Sequence, residues 1–181
     1  SDNSNNFLFL EFVRLVDELK PDWFLFENVE GITNFNRGKT VLEIKKYFRN
    51  LGYETSEEVL YASDYDVPQH RNRFFMVGNR LGIKFDFPEK SRNKVNVNDA
   101  LSDLPDLENG DIIYELPYKE HIDEVGTYAK AMRHKSIASL QNYVSKNTDY
   151  VIERYKYIKQ GEIWKAIPKE LMQNYANVSN C

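Results

Sequence analysis

The sequence predicts an α/β fold, and three observations carry that prediction. A short apolar run, Trp23-Phe24-Leu25-Phe26, stands between two stretches whose apolar residues recur at helical spacing. Two more short runs, residues 53–61 and 73–79, are too brief for buried helices and read as strands. Pro21 and Gly52 punctuate the joints, so helix, strand, helix and strand follow one another as in a βαβ unit.

The elements can be taken in order. Ser4, Asn5 and Asn6 offer N-caps, and Leu8, Phe12, Leu15, Val16 and Leu19 then form one helical face. Pro21 stops that helix, because the residue before a proline is pushed out of helical geometry. Residues 23–27 follow as a buried strand, and residues 31–38 as a loop. Val41, Ile44, Phe48 and Leu51 mark a second amphipathic helix, closed by Gly52 where a left-handed C-terminal residue belongs. The strands at 53–61 and 73–79 are joined by a loop carrying Pro68, Gln69, His70, Arg71 and Asn72. Beyond Gly82 the pattern loosens. A short helix is expected over residues 97–104, residues 106–120 read as an acidic loop, and residues 149–159 read as a helix ended by Gly161.

Composition narrows the function classes. Charged residues at 29% and hydrophobic residues at 41% are ordinary for a globular chain. A net charge of −4 gives no overall basic field for phosphate, so any nucleic-acid contact must rest on local clusters of Lys and Arg. The 14% aromatic content serves a core and also suits base stacking. A single cysteine, Cys181, excludes an internal disulfide and fits a reducing cytoplasm. No run approaches the ~18 apolar residues of a membrane span. His70, His121 and His134 lack metal-ligand spacing.

Two stretches stand out chemically. Glu27-Asn28 sits where an apolar strand ends, and in open α/β sheets ligands gather at the carboxyl ends of strands. The pair reads either as a turn or cap signal or as an acid/base group at a ligand crevice; set in a mostly apolar wall, the carboxyl would suit proton sharing with a weakly basic ring nitrogen. Gln69, Arg71 and Arg73 would share one face if the strand extended back to 69, giving an amide and two guanidinium forks for a polar ligand, or a charged guard on an edge strand. Gly38-Lys39-Thr40 lacks the earlier glycine of a phosphate-binding loop and reads as a helix entry. Tyr-rich, basic residues 150–159 read as an amphipathic helix more readily than as a nucleic-acid surface.

In this order the two stretches resemble the DNA (cytosine-5)-methyltransferase family. Phe26-Glu27-Asn28-Val29-Glu30-Gly31 is similar to its Glu-Asn-Val motif, and Val67-Pro68-Gln69-His70-Arg71-Asn72-Arg73 to its Gln-x-Arg-x-Arg motif, followed by a strand ending Val77-Gly78. Residues 99–105, and Glu153-Arg154 through Gly161, Trp164 and Pro168, resemble the stretches leading into the target-recognition region. The resemblance implies a partial Rossmann-like domain using S-adenosylmethionine (SAM), organised as the C-terminal half of the catalytic domain over residues 1–81, an irregular connection over 82–125 and the beginning of a target-recognition region over 126–181. It implies methyl transfer to C5 of a cytosine flipped out of double-stranded DNA, in a restriction–modification setting.

The implied roles follow residue by residue. Glu27 holds N3 and the exocyclic amine, easing attack on C6 by a cysteine thiolate. Arg71 and Arg73 contact the base O2 and nearby backbone. Asn28, Val29 and Gln69 shape the pocket, and Leu8 packs near the SAM adenine. The departures are the absence of the family's Phe-x-Gly-x-Gly loop, of its Pro-Cys-Gln nucleophile motif and of its last motif, with Asn5-Asn6 standing where Arg-Gly is usual. Cys181 has no Pro-Cys context. The chain is therefore expected to be an internal piece, inactive alone, with the cysteine on another segment or a complementary subunit. The alternative is a non-catalytic DNA-binding or interaction subunit of a split enzyme.

Overall fold

A computed structural model describes residues 8–172. The cap candidates Ser4, Asn5 and Asn6, and Cys181, lie outside the described residues. The chain divides into two compact units, Ser1–Ala100 and Leu101–Cys181.

In the first unit, helix α1 (Leu8–Leu19) leads into strand β1 (Trp23–Val29), and short 3-10 turns (Glu30–Thr33 and Phe35–Gly38) into helix α2 (Lys39–Asn50). Strands β2 (Glu54–Tyr61) and β3 (Asn72–Asn79) follow. The strand order is β1-β3-β2, and β3 is antiparallel to both neighbours. β1 and β2 therefore run in the same direction, with α2 as their crossover and β3 inserted between them. The helical and strand periods read from the sequence are all realised in this mixed α/β unit.

One sheet face is packed. Phe24 and Phe26 of β1 and Phe74 and Met76 of β3 meet Val16 of α1 and Ile44 and Phe48 of α2. The Phe24 and Phe48 rings lie 4.2 Å apart between centroids, and Phe12 packs near Phe24, Phe26 and Phe48. Tyr53 is buried beside them, and its hydroxyl donates to the Pro21 carbonyl at 2.6 Å, fastening the start of β2 to the turn before β1. Alternation sends Trp23, Leu25, Glu27 and Val29 to the other face. Phe85 packs edge-on against Trp23, but Leu25 and Val29 remain more than half exposed. Among the described residues, β1 pairs with β3 alone, so its second edge is open.

The second unit holds a two-stranded antiparallel sheet of β4 (Ile112–Pro117) and β5 (Ala138–Tyr143). Helix α3 (Val97–Leu101) precedes it, α4 (Thr127–Arg133) lies between the strands, and α5 (Asp149–Tyr155) follows. The loop expected over 106–120 is corrected here, since β4 occupies much of it. Ile112, Ile113 and Tyr114 are all exposed, so the segment has no inward-outward alternation for a periodicity reading to find. The expected helices over 97–104 and 149–159 are both shorter, five and seven residues. The unit is anchored by a buried pair: Arg133 Nε lies 2.5 Å from Asp103 Oδ2, and both side chains are almost wholly covered. No helix among the described residues is long and apolar enough to cross a membrane.

Gly78 is where β1 and β3 demand a missing side chain. A Cβ there would lie 2.2 Å from the Phe24 ring. Gly78→Ala should therefore destabilise the chain by about 2–3 kcal/mol, read as a lower urea midpoint, with Phe24→Leu in the same chain recovering part of the loss. Equal stability of Gly78→Ala and the parent would contradict this packing.

Candidate active site

The site grows from the register of β1 against β3. Val29 stands opposite Arg73 and Glu27 opposite Phe75, so Glu27 and Arg73 are diagonal neighbours on the open face of the sheet. The Arg73 guanidinium reaches across: its Nε is 2.8 Å from Glu27 Oε1. Its Nη1 donates to the Asn72 carbonyl at 2.8 Å, a second tie on the guanidinium. Asn72 in turn donates through Nδ2 to Glu30 Oε2 at 3.0 Å. Glu27, Arg73, Asn72 and Glu30 thus form a continuous polar chain that joins the end of β1 to the start of β3.

Two expectations about Glu27 change. It lies inside β1 rather than at its end, because the strand runs on to Val29. Its side chain is 47% exposed and charge-paired, not set in an apolar wall. The cause is the same alternation that buries Phe24 and Phe26: Glu27, out of phase with them, must face outward.

Asn28 and Val29 close β1. The Asn28 side-chain oxygen accepts from the Val29 N–H at 2.9 Å. Beyond them the chain turns tightly: Thr33 Oγ1 donates to the Glu30 carbonyl, and Asn36, Arg37 and Gly38 all have left-handed φ. Only glycine takes that conformation freely, so the backbone here holds strain before α2 starts. Gly38 is the N-cap of α2, as its reading as a helix entry requires. Between α1, the end of β1 and this turn lies an open hollow of about 510 Å³, lined by Leu8, Phe9, Asn28, Val29, Ile32 and Phe35 among others. Leu8, Asn28 and Val29, separated by up to 21 positions in sequence, therefore share one concavity beside the Glu27–Arg73 pair. Leu8 is exposed, as is Phe35, which gives the hollow an apolar rim of the kind that ligand rings cover.

Gln69 and Arg71 are placed differently. Both precede β3, which starts at Asn72, so they do not share a strand face with Arg73. Pro68 prevents the strand from extending back, and the Val67 carbonyl is taken by the Gln69 N–H at 2.7 Å. Arg71 is tied by its backbone, its carbonyl accepting from the Ala62 N–H at 2.9 Å, while its side chain is exposed. No hydrogen bond or ion pair joins either side chain to Glu27, Asn28 or Arg73 among the described residues. The loop before them is held by Asp64, whose carboxyl bonds Lys94 and Lys90 and lies below the usual carboxylate range because of those hydrogen bonds.

Sequence reasoning missed Asn72 and Glu30. Asn72 stands at an unspecified position of Gln-x-Arg-x-Arg and Glu30 just after Glu-Asn-Val, and only the strand pairing brings them together.

A family model described as C-5 cytosine-specific DNA methylase matches residues 1–179. The chain belongs to that family. The Type II methyltransferase M.XorII of Xanthomonas oryzae pv. oryzae is 37% identical over 137 residues, covering 74% of this chain and 32% of that protein. M1.HphI of Haemophilus parahaemolyticus is 41% identical over 112 residues, covering 61% and 30%. A solved structure described as a DNA modification methyltransferase encoded within an E. coli prophage superimposes with a TM-score of 0.62 at 27% identity, over 90% of this chain and 53% of that one. The chain spans about a third of the length of the curated relatives it matches.

The Asn72–Glu30 contact makes a direct prediction for this chain. Asn72→Ala should lower stability by about 1–2 kcal/mol, the usual cost of removing a part-buried hydrogen bond to a charged group. Urea unfolding would show a lower midpoint at unchanged slope; an unmoved midpoint would mean that the contact contributes nothing.

Proposed function

We propose that this chain supplies the base-holding part of a DNA (cytosine-5)-methyltransferase acting on double-stranded DNA. The observation that carries the reading is the 2.8 Å pair between Glu27 and Arg73, which joins β1, bearing Glu-Asn-Val, to the last arginine of Gln-x-Arg-x-Arg at the start of β3. A carboxylate beside a guanidinium matches the edge of a flipped cytosine. Glu27 accepts from the exocyclic amine and holds a proton at N3, which draws electron density from C6 and makes the ring a better electrophile. Arg73 keeps Glu27 oriented, and with Arg71 it takes the base O2 and adjacent backbone. Asn28, Val29 and Gln69 bound the pocket.

The adjoining hollow fits part of SAM: its apolar lining of Leu8, Phe9, Ile32 and Phe35 suits an aromatic ring. SAM, when bound, supplies the electrophilic methyl group. In this reading Leu8 packs against the adenine. Residues 1–81 are then the C-terminal half of a Rossmann-like catalytic domain, residues 82–125 a connection and residues 126–181 the beginning of the target-recognition region. The nucleophilic cysteine comes from another segment or a complementary subunit. The open edge of β1, and the exposed Leu25 and Val29 beside it, support an added neighbour there.

The test is methyl transfer from labelled SAM to duplex DNA, in the complete protein that carries this segment, with the product located at cytosine C5. Glu27→Gln should lower kcat at least about 100-fold while leaving SAM affinity unchanged. Unchanged turnover removes Glu27 from the chemistry. Clear turnover by the 181-residue chain alone would refute the need for an outside cysteine.

A further inference from the structure

Residues 80–94 form a strap that is fastened to the first unit at both ends. At its start Asn79, 3% exposed, holds the turn. Its Oδ1 accepts from the Leu81 and Ile83 N–H groups at 3.0 and 3.1 Å, and its Nδ2 donates to the Ile83 carbonyl at 2.6 Å. Phe85 then packs against Trp23, on the sheet face that carries Glu27, and against Phe87. At its far end the strap meets Asp64. Lys94 Nζ lies 2.7 Å from Asp64 Oδ1 and Lys90 Nζ 3.0 Å from Oδ2, on a carboxylate only 18% exposed. The Asp64 carbonyl accepts from the Ser91 N–H at 2.8 Å, and the Tyr65 hydroxyl donates to the Pro88 carbonyl at 3.3 Å.

Asp64 closes the short turn Ala62–Asp64, just before the loop that carries Gln69 and Arg71. Ala62 is the hub of that loop. Its N–H donates to the Arg71 carbonyl at 2.9 Å, and its carbonyl accepts from the Tyr65 and Val67 N–H groups at 3.0 and 3.3 Å. The path from the two lysines to Arg71 is thus one carboxylate, one turn and one backbone hydrogen bond. The loop itself is strained. Asp66 has φ 58°, a left-handed value that residues other than glycine rarely take, and its Oδ1 is buried with no hydrogen-bond partner among the described residues. Strained backbone persists only where its surroundings over-determine it, and residues 88–94 supply such ties from outside the loop. The Arg71 side chain is exposed, with no hydrogen bond or ion pair among the described residues, so the placement of its backbone decides what it can reach.

We propose that Asp64 is a positioning residue for methyl transfer: clasped by Lys90 and Lys94, it holds the loop so that the Arg71 guanidinium meets the flipped base. The proposal rests on the reading that Arg71 takes the base O2.

The test compares variants of the complete protein that carries this segment. Asp64→Asn keeps the size of the side chain and removes its charge. It should lower kcat about 10- to 100-fold, the cost of a displaced catalytic group. SAM affinity and the urea midpoint should stay near the parent values, because loosening a loop is a local event. Asp64→Glu, which restores the charge, should recover most of the loss. Amide hydrogen exchange at Ala62 should quicken in Asp64→Asn, since that N–H loses the Arg71 carbonyl. Asp64→Asn/Arg71→Ala should be no slower than Arg71→Ala alone, because both changes remove the same positioned group. Additive losses, or a fall in kcat that tracks a lower midpoint, would make Asp64 a purely structural residue and overturn the proposal. If Arg71→Ala is slow and Asp64→Asn turns over like the parent, the base-holding reading stands and the clasp alone fails. If Arg71→Ala itself turns over like the parent, the reading of Arg71 fails and the proposal falls with it.

Discussion

The register of β3 between β1 and β2 is the constraint on which the first unit depends. It places Gly78 under Phe24 and Val29 across from Arg73 at the same time. Strand side chains alternate, so a slip by one residue would bury Glu27 and Arg73 and expose Phe24, Phe26 and Met76. Apolar burial thus specifies the polar site: the aromatic cluster on one face fixes the strand phase that presents the ion pair on the other. Phe48 and Ile44 of α2, both almost fully buried, close that cluster and make the phase hard to change.

Much of this was legible in the sequence because the first unit obeys simple periods. α1, α2 and β1 each bury one face, so their apolar residues recur at helical or alternating spacing. The candidate site residues stand out in the sequence through their motifs, but their arrangement does not. Glu27 looked like a strand-end carboxylate in an apolar setting, and it faces outward because its neighbours in sequence face inward. Gln69 and Arg71 looked like strand partners of Arg73, yet Pro68 keeps them in the loop. Asn72 and Glu30, 42 positions apart, become neighbours only through strand pairing.

The second unit was less legible for a physical reason. β4 carries exposed Ile112, Ile113 and Tyr114 in succession, so no alternation marks it. Its organising feature is the buried Asp103–Arg133 pair, set by residues 30 positions apart, rather than an apolar stripe. A buried ion pair leaves no hydropathy signal, and removing either partner would leave a buried charge uncompensated. The sequence assigns Asp103 no role; in the fold it is the fixed point for Arg133 of α4.

The open edge of β1 also makes the amount of this protein in a cell a structural variable. Its unpaired N–H and C=O groups, flanked by exposed Leu25 and Val29, form a template on which any extended chain can add, including another copy. At high concentration an uncovered edge of this kind favours strand-to-strand association between copies. The strand that carries Glu27 is thus also the one whose open edge sets this tendency to associate.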